Sequence, residues 1–266
     1  MLDRTNSSLV SPTAGAALAR AVHQLLVGSS VRLYVVGGSA SAGAGGAGIN
    51  RTFDARLTTK LNQLLEQAER SLQKPLGRVL RSNVAQGGTT SFWAALMGDA
   101  LHGRAPHIVV WEYSINDHAV ALEAAGRSAR GIASVQGSSD FVAETMRYML
   151  SFWLRHSLSI ASPPPLLLLA YLWDKQPAVA FKPGNRALCR RMPVPGSAYA
   201  AQLPVVQQYS SMGASLAAVN VAGYVGMPGP GQRPAHEFCP LVADSYFHPS
   251  DRGHELVSDL LLLTLR

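Results

Sequence analysis

A chain of 266 residues with 47% hydrophobic and only 15% charged side chains can bury a large core, which excludes a disordered polypeptide and allows one domain over residues 1–266. Its 23 Lys and Arg outnumber 16 Asp and Glu for a net charge of +7. The basic residues are scattered, with no run of five and no basic stripe interleaved with aromatics, so nucleic acid is not an expected partner.

The first segment, MLDRTNSSLVSPTAG, has no apolar core behind a basic start and does not read as a signal peptide as it stands. A precursor longer than this sequence would hide any such signal. Residues 14–28 show helical periodicity ending at a glycine, and 31–38 (VRLYVVGG) form a continuous apolar run, as expected of a strand covered on both faces. An amphipathic helix is predicted over 52–72, a strand over 78–85, a short helix over 91–103 and a third strand over 107–114. A helix over 139–160 leads to PPPLLLLAYLW, whose apolar run is too short to cross a bilayer and reads as a fourth strand over 165–173. After a Pro- and Gly-rich segment (174–197) come a helix over 200–213, a fifth strand over 217–224, a loop over 227–240 and a closing helix over 249–265. Five strands separated by helices predict right-handed crossovers and an α/β fold, a three-layer sandwich around a parallel sheet.

Cys189 and Cys239 are too few for a disulfide framework or a four-ligand zinc site. Either they form one bridge pinning a long loop, which implies the secretory pathway or the extracellular space, or they stand as two thiols. No metal and no organic cofactor is expected.

Sites in such sheets gather at the carboxyl ends of the strands, where this sequence places its polar and glycine-rich loops. The first, GGSASAGAGGAG, contains a literal GxGxxG at 43–48. That pattern begins several residues past the strand, the acids at suitable distance (Glu66, Glu69) fall within a helix, and no Gly-Lys-Ser/Thr follows, so a nucleotide is not expected. Ser39, one or two residues beyond the first strand, is placed to present its hydroxyl on a tight turn. A serine needs a base, and His248, just before the closing helix that Pro249 and Ser250 would start and cap, is the candidate. The glycine turn in NVAQGGTTS and the neutral amide of Asn116 in EYSINDH are candidate oxyanion donors.

These residues resemble the SGNH hydrolases, the GDSL-like esterases and lipases. GGSASAG is similar to the first block of that family, NVAQGGTT to the second, EYSIND to the third and HPSDRGH to the fifth, in family order over residues 37–254. The resemblance implies a flavodoxin-like α/β/α fold with a five-stranded parallel sheet. It implies Ser39 as nucleophile, His248 as general base, and Ser39, Gly88 and Asn116 as the oxyanion hole. It departs in three places. Gly38 stands where the first block has aspartate, Ser114 where the third has glycine, and Asp244 lies four rather than three residues before His248. Asp244 is the expected triad acid; Asp251, read as a helix-start residue, and a plain Ser–His dyad are its rivals. Ser41 is the alternative nucleophile. His254 is read as structural, and His118 and His236 as loop residues near the cleft. Trp93, Trp111 and Trp173 are candidates for stacking on sugars, with buried packing the expected role of Trp111.

The implied activity is hydrolysis of carboxylic esters, with short acyl or acetyl groups, on a small molecule or a glycan, through an acyl-enzyme. Two alternatives use the same fold: acetyl transfer to a glycan, and carbohydrate binding with catalysis impaired.

Overall fold

Apolar runs with no polar face have to lie between two layers, and they do. The computed structural model describes residues 8–44, 48–96, 106–117, 135–159, 163–173, 197–221, 241 and 248–265. Its strands are β1 (Ser8–Val10), β2 (Val31–Gly37), β3 (Val79–Asn83), β4 (Ile108–Glu112), β5 (Leu166–Tyr171) and β6 (Leu216–Asn220). The helices described are α1 (Ala14–Leu26), α2 (Phe53–Leu72), α3 (Ser91–Leu96), α4 (Val135–Ser159), α5 (Ser197–Ser211) and α6 (Asp251–Thr264). Every residue of β4, β5 and β6 is buried, which explains the absence of polar alternation in their sequences.

Successive strand residues point to opposite faces. Val31, Leu33 and Val35 of β2 pack with α1, α2 and α6, whereas Tyr34 and Val36 pack with α4 and α5 on the other side. Helix α1 meets the sheet through Ala14, Ala17, Ala21 and Leu25, a stripe at helical spacing. The three-layer sandwich expected from the sequence is therefore present.

The sheet order is β1-β6-β5-β4-β2-β3, with β2 through β6 mutually parallel. Counted from β2, the parallel strands run 2-1-3-4-5, the flavodoxin-like order. The strand count is corrected from five to six, because β1 joins the edge antiparallel to β6, with Ser8 opposite Val219. Three residues carry no readable period; pairing with β6 creates this strand. Ser11 then turns the chain into α1, its Oγ accepting the N–H groups of Leu216 (2.9 Å) and Ala14 (3.1 Å).

The boundaries expected for α4 and β6 shift: α4 begins at Val135, and β6 stops at Asn220. Only Ser91–Leu96 of the helix expected over 91–103 is described, and the loops at 174–196 and 227–240 lie outside the described residues. Trp111 and Trp173 are buried, so packing claims both, and Trp93 is half-buried. Among the described residues no helix is long and apolar enough to cross a membrane.

Candidate active site

The chain reverses crossover direction between β2 and β4, and a crevice opens at such a switch point beyond the carboxyl ends of the strands. Three segments meet there: 38–44 after β2, 84–90 after β3 and 113–117 after β4.

The first is the candidate nucleophile turn, which carries Ser39. The Gly38 N–H donates to the Glu112 carbonyl at 2.8 Å, extending the ladder one residue beyond β2. The chain then coils, with Ala42 N–H on the Gly38 carbonyl (3.0 Å) and Ala44 N–H on the Ser39 carbonyl (2.9 Å). Ser39 sits at the start of this coil, where a backbone N–H has no acceptor within the coil, and its N–H donates to nothing among the described residues. Ser39 Oγ lies 2.8 Å from His248 Nε2.

His248 is set by the start of α6. Ser250 caps that helix, its Oγ accepting the Gly253 N–H at 3.1 Å, and its own N–H donates to the Leu241 carbonyl at 2.8 Å. Asp251 is in the first turn of α6 and is held by Arg51 and by Arg56, the latter at 3.0 Å. That occupation is the one expected of a helix-start residue. Arg56 and Lys60 also reach Glu255, and Lys60 reaches Asp259, so a ladder of ion pairs aligns α6 along α2. Partly exposed pairs of this kind add little stability each.

The second and third segments bring the candidate oxyanion donors. The Gln86 N–H donates to the Gly37 carbonyl at 3.0 Å, which lays the loop beside the nucleophile turn. A Cβ on Gly87 would lie 3.7 Å from Ser39 Cβ. Gly88 has φ +77°, a conformation that favours glycine, and faces open space, with its N–H donating to nothing among the described residues. Asn116 donates from Nδ2 to the Thr89 carbonyl at 2.6 Å. One amide hydrogen is thereby used to orient the group, and an amide carries two. A Cβ at position 38 would come within 2.5 Å of that Nδ2, so the amide is packed against the nucleophile turn.

Two buried acids lie under these loops. Asp117 accepts from Ser91 N–H (2.9 Å), Ser91 Oγ (2.7 Å) and Gln202 Nε2 (3.0 Å), while Trp111 Nε1 donates to Ser91 Oγ at 2.9 Å. Burial pushes Asp117 up to about 6, against the lowering effect of those donors. Glu112 is also fully buried, and burial raises it to about 7. Its Oε2 accepts from Ser41 Oγ at 3.2 Å and its Oε1 from Ser114 Oγ at 3.3 Å. Ser41 is wholly buried with its Oγ donating to Glu112; among the described residues the serine hydroxyl facing a histidine is that of Ser39.

Glu112, Asn83 and Thr89 were not among the site residues expected from sequence. Glu112 does leave a signal: it is the one charged residue in the otherwise apolar run IVVWE of a strand buried on both faces. Asp244, Cys189, Cys239, His118 and His236 lie outside the described residues. Among the described residues no group of three or more His, Cys, Asp and Glu is placed to hold a metal ion.

His254 is structural. It is fully buried and stacked on Phe53, and its Nδ1 accepts the Phe53 N–H at 3.2 Å. Burial, reinforced by Arg56, lowers its pKa from 6.5 to about 4. As pH falls from 6.5 toward 4 the unfolded chain takes up a proton that the folded chain refuses, so this group removes stability from the acid side. Glu112 and Asp117, raised by burial, hold protons in the folded state and tilt stability the opposite way over much of the same range. A His254→Leu variant therefore isolates the histidine. Relative to wild type it is expected to gain about 2 kcal/mol between pH 7 and pH 5, measured by urea unfolding at both values.

No protein-family model and no curated protein sequence matches the chain. Several solved structures match its fold. A two-domain esterase (CEX) active on acetylated mannans superposes with a TM-score of 0.61 at 16% identity, over 94% of this chain and 52% of that one. The chain thus spans about half the length of that esterase. The lipase Lip_vut3 from a goat rumen metagenome gives a TM-score of 0.54 at 13% identity, over 88% and 97% of the two chains. A variant of Axe2, an acetyl xylan esterase from Geobacillus stearothermophilus, gives 0.53 at 15% identity, over 90% and 95%. The chain has the α/β fold of these ester hydrolases, as the order of its sequence blocks implies.

Proposed function

We propose that the protein is a serine ester hydrolase that removes acetyl or other short acyl groups, with carbohydrate esters the favoured substrate class. The observation that carries this reading is the 2.8 Å contact between Ser39 Oγ and His248 Nε2 at the switch point of the sheet. A hydroxyl hydrogen-bonded to an imidazole is the pairing that nucleophilic acyl transfer requires. His248 Nε2 takes the Ser39 proton as Oγ attacks the ester carbonyl. The oxyanion is met by the N–H groups of Ser39 and Gly88 and by the Asn116 amide, and each such donor is typically worth about 3 kcal/mol in the transition state. His248 then returns the proton to the leaving alcohol, and a water deprotonated by the same imidazole hydrolyses the acyl-enzyme. Asp244, close before His248 in the chain, is the proposed orienting acid. The sugar preference is supported by the fold neighbours active on acetylated mannans and on acetyl xylan.

A fluorophosphonate probe is expected to label the intact chain once, on the tryptic peptide containing Ser39. p-Nitrophenyl acetate should be turned over faster than the octanoate ester, and acetylated xylan or mannan should release acetate. An unlabelled Ser39, with acetyl esters untouched, refutes the reading.

A further inference from the structure

We propose that Glu112 is the positioning residue of the nucleophile turn: its carboxyl, working from the end of β4 through Ser41, seats the coil that presents Ser39. The kinetic part of this inference rests on the esterase reading above; the geometric part does not.

Ser41 is gripped from two strands. Its Oγ donates to Glu112 Oε2 at 3.2 Å, and its carbonyl accepts from Asn83 Nδ2, at the end of β3, at 2.9 Å. Both grips are anchored further back. The other carboxyl oxygen of Glu112 accepts from Ser114 Oγ (3.3 Å), which itself accepts the Leu172 N–H beyond β5 at 2.9 Å. The Asn83 amide also donates to Asp54 Oδ2 at 3.0 Å, and Arg81 Nε holds that oxygen at 2.5 Å. Ser39 lies two residues before Ser41 within a coil closed by the Ala42–Gly38 and Ala44–Ser39 bonds, so fixing Ser41 fixes the direction of the Ser39 side chain.

The turn has no room to supply such an anchor itself. A Cβ at position 37 would come within 2.3 Å of Ser41 Oγ and 2.8 Å of the Glu112 carbonyl oxygen, and one at 38 would strike the Asn116 amide. Burying a carboxyl is costly unless it is hydrogen-bonded, and a leucine would fill the volume more favourably. Here the cost falls at the strand end adjoining the nucleophile, and both carboxyl oxygens are used. Because burial raises Glu112 to about 7, neutral and ionised forms coexist near neutrality, and an amide is a fair replacement.

The test compares Glu112→Gln, Glu112→Leu, Ser41→Ala and the Glu112→Leu/Ser41→Ala double variant in the full chain. Glu112→Gln keeps an acceptor for one serine and is expected to hold kcat for p-nitrophenyl acetate within about threefold of wild type. Glu112→Leu and Ser41→Ala are each expected to lower kcat by about 10- to 100-fold with KM within about twofold, since binding is kept and orientation is lost. The double variant should fall no further than the worse single, because both changes cut one linkage. Amide hydrogen exchange of the peptide spanning 38–44 reads the seating without catalysis. It should accelerate at least about tenfold in Glu112→Leu and Ser41→Ala and stay near wild type in Glu112→Gln. If wild type fails to react with the fluorophosphonate, the esterase reading falls while hydrogen exchange still decides this one. If Glu112→Leu does not fold, Ser41→Ala, which deletes a single oxygen, decides alone. Unchanged kcat and exchange in Ser41→Ala, or losses that simply add in the double variant, overturn the proposal.

Discussion

Replacing Ser39 with alanine is expected to lower kcat/KM toward acetyl esters by about 10⁴-fold or more while leaving the melting temperature within a few degrees of wild type. The hydroxyl is half-buried and its described side-chain partner is His248, so its removal deletes the proposed nucleophile and little packing. His248→Ala should fall to a similar level, because an unactivated serine is a poor nucleophile. The sharper expectation concerns the double variant. Groups that act as one unit are not additive, so Ser39→Ala/His248→Ala should be no slower than either single variant. What is expected to persist in all three is substrate binding and the stabilisation offered by the proposed donors, Gly88 and Asn116. Single-turnover kinetics with p-nitrophenyl acetate, corrected for the uncatalysed rate, check all three variants. A Ser39→Ala protein that retains a tenth of wild-type activity, or a double variant far below both singles, rules out a Ser39–His248 unit.

The sheet was readable because its strands are buried on both faces: LLLLAY and IVVWE can be little else between turn signals. Strand β1 was not readable, since three residues owe their extended form to the edge of β6, some two hundred positions away in the chain. The pairing of Ser39 with His248 across 209 residues was legible through the order of the blocks, which fixes which loop lies at which strand end. The supporting contacts were not. Nothing in SNVAQ announces that Asn83 will hold the Ser41 carbonyl, and nothing in GTTS announces that the Thr89 carbonyl will orient Asn116. Such bonds depend on ångström-level approach between loops, which patterns of residue type do not encode. Glu112 is intermediate. Its burial follows from the strand it ends, but its partner Ser41 follows only from the course of the nucleophile turn.

The same close approach gives the departure at position 38 a measurable consequence. The Asn116 amide occupies the space a side chain there would need, 2.5 Å from the Cβ position, so Gly38→Ala has to displace Asn116. The obstructing atom ends a side chain and can swing aside, which keeps the cost to the fold modest. Swinging it aside breaks the bond to the Thr89 carbonyl and displaces the proposed donor. Losing one oxyanion donor costs about 10²–10³ in kcat, and Gly38→Ala should fall in that range with KM little changed. Gly37→Ala makes the contrast. Its Cβ meets Ser41 Oγ at 2.3 Å, Ser41 Cβ at 2.6 Å and the Glu112 carbonyl oxygen at 2.8 Å, and the last belongs to the backbone of a buried strand that cannot move aside. Overpacking of this kind typically costs about 1–3 kcal/mol, so Gly37→Ala should lose stability as well as activity. Urea unfolding and kcat measured on the two variants separate the effects. If Gly38→Ala keeps full activity, Asn116 is not the donor proposed for it; if Gly37→Ala is as stable as wild type, the contact between the nucleophile turn and β4 is looser than its geometry requires.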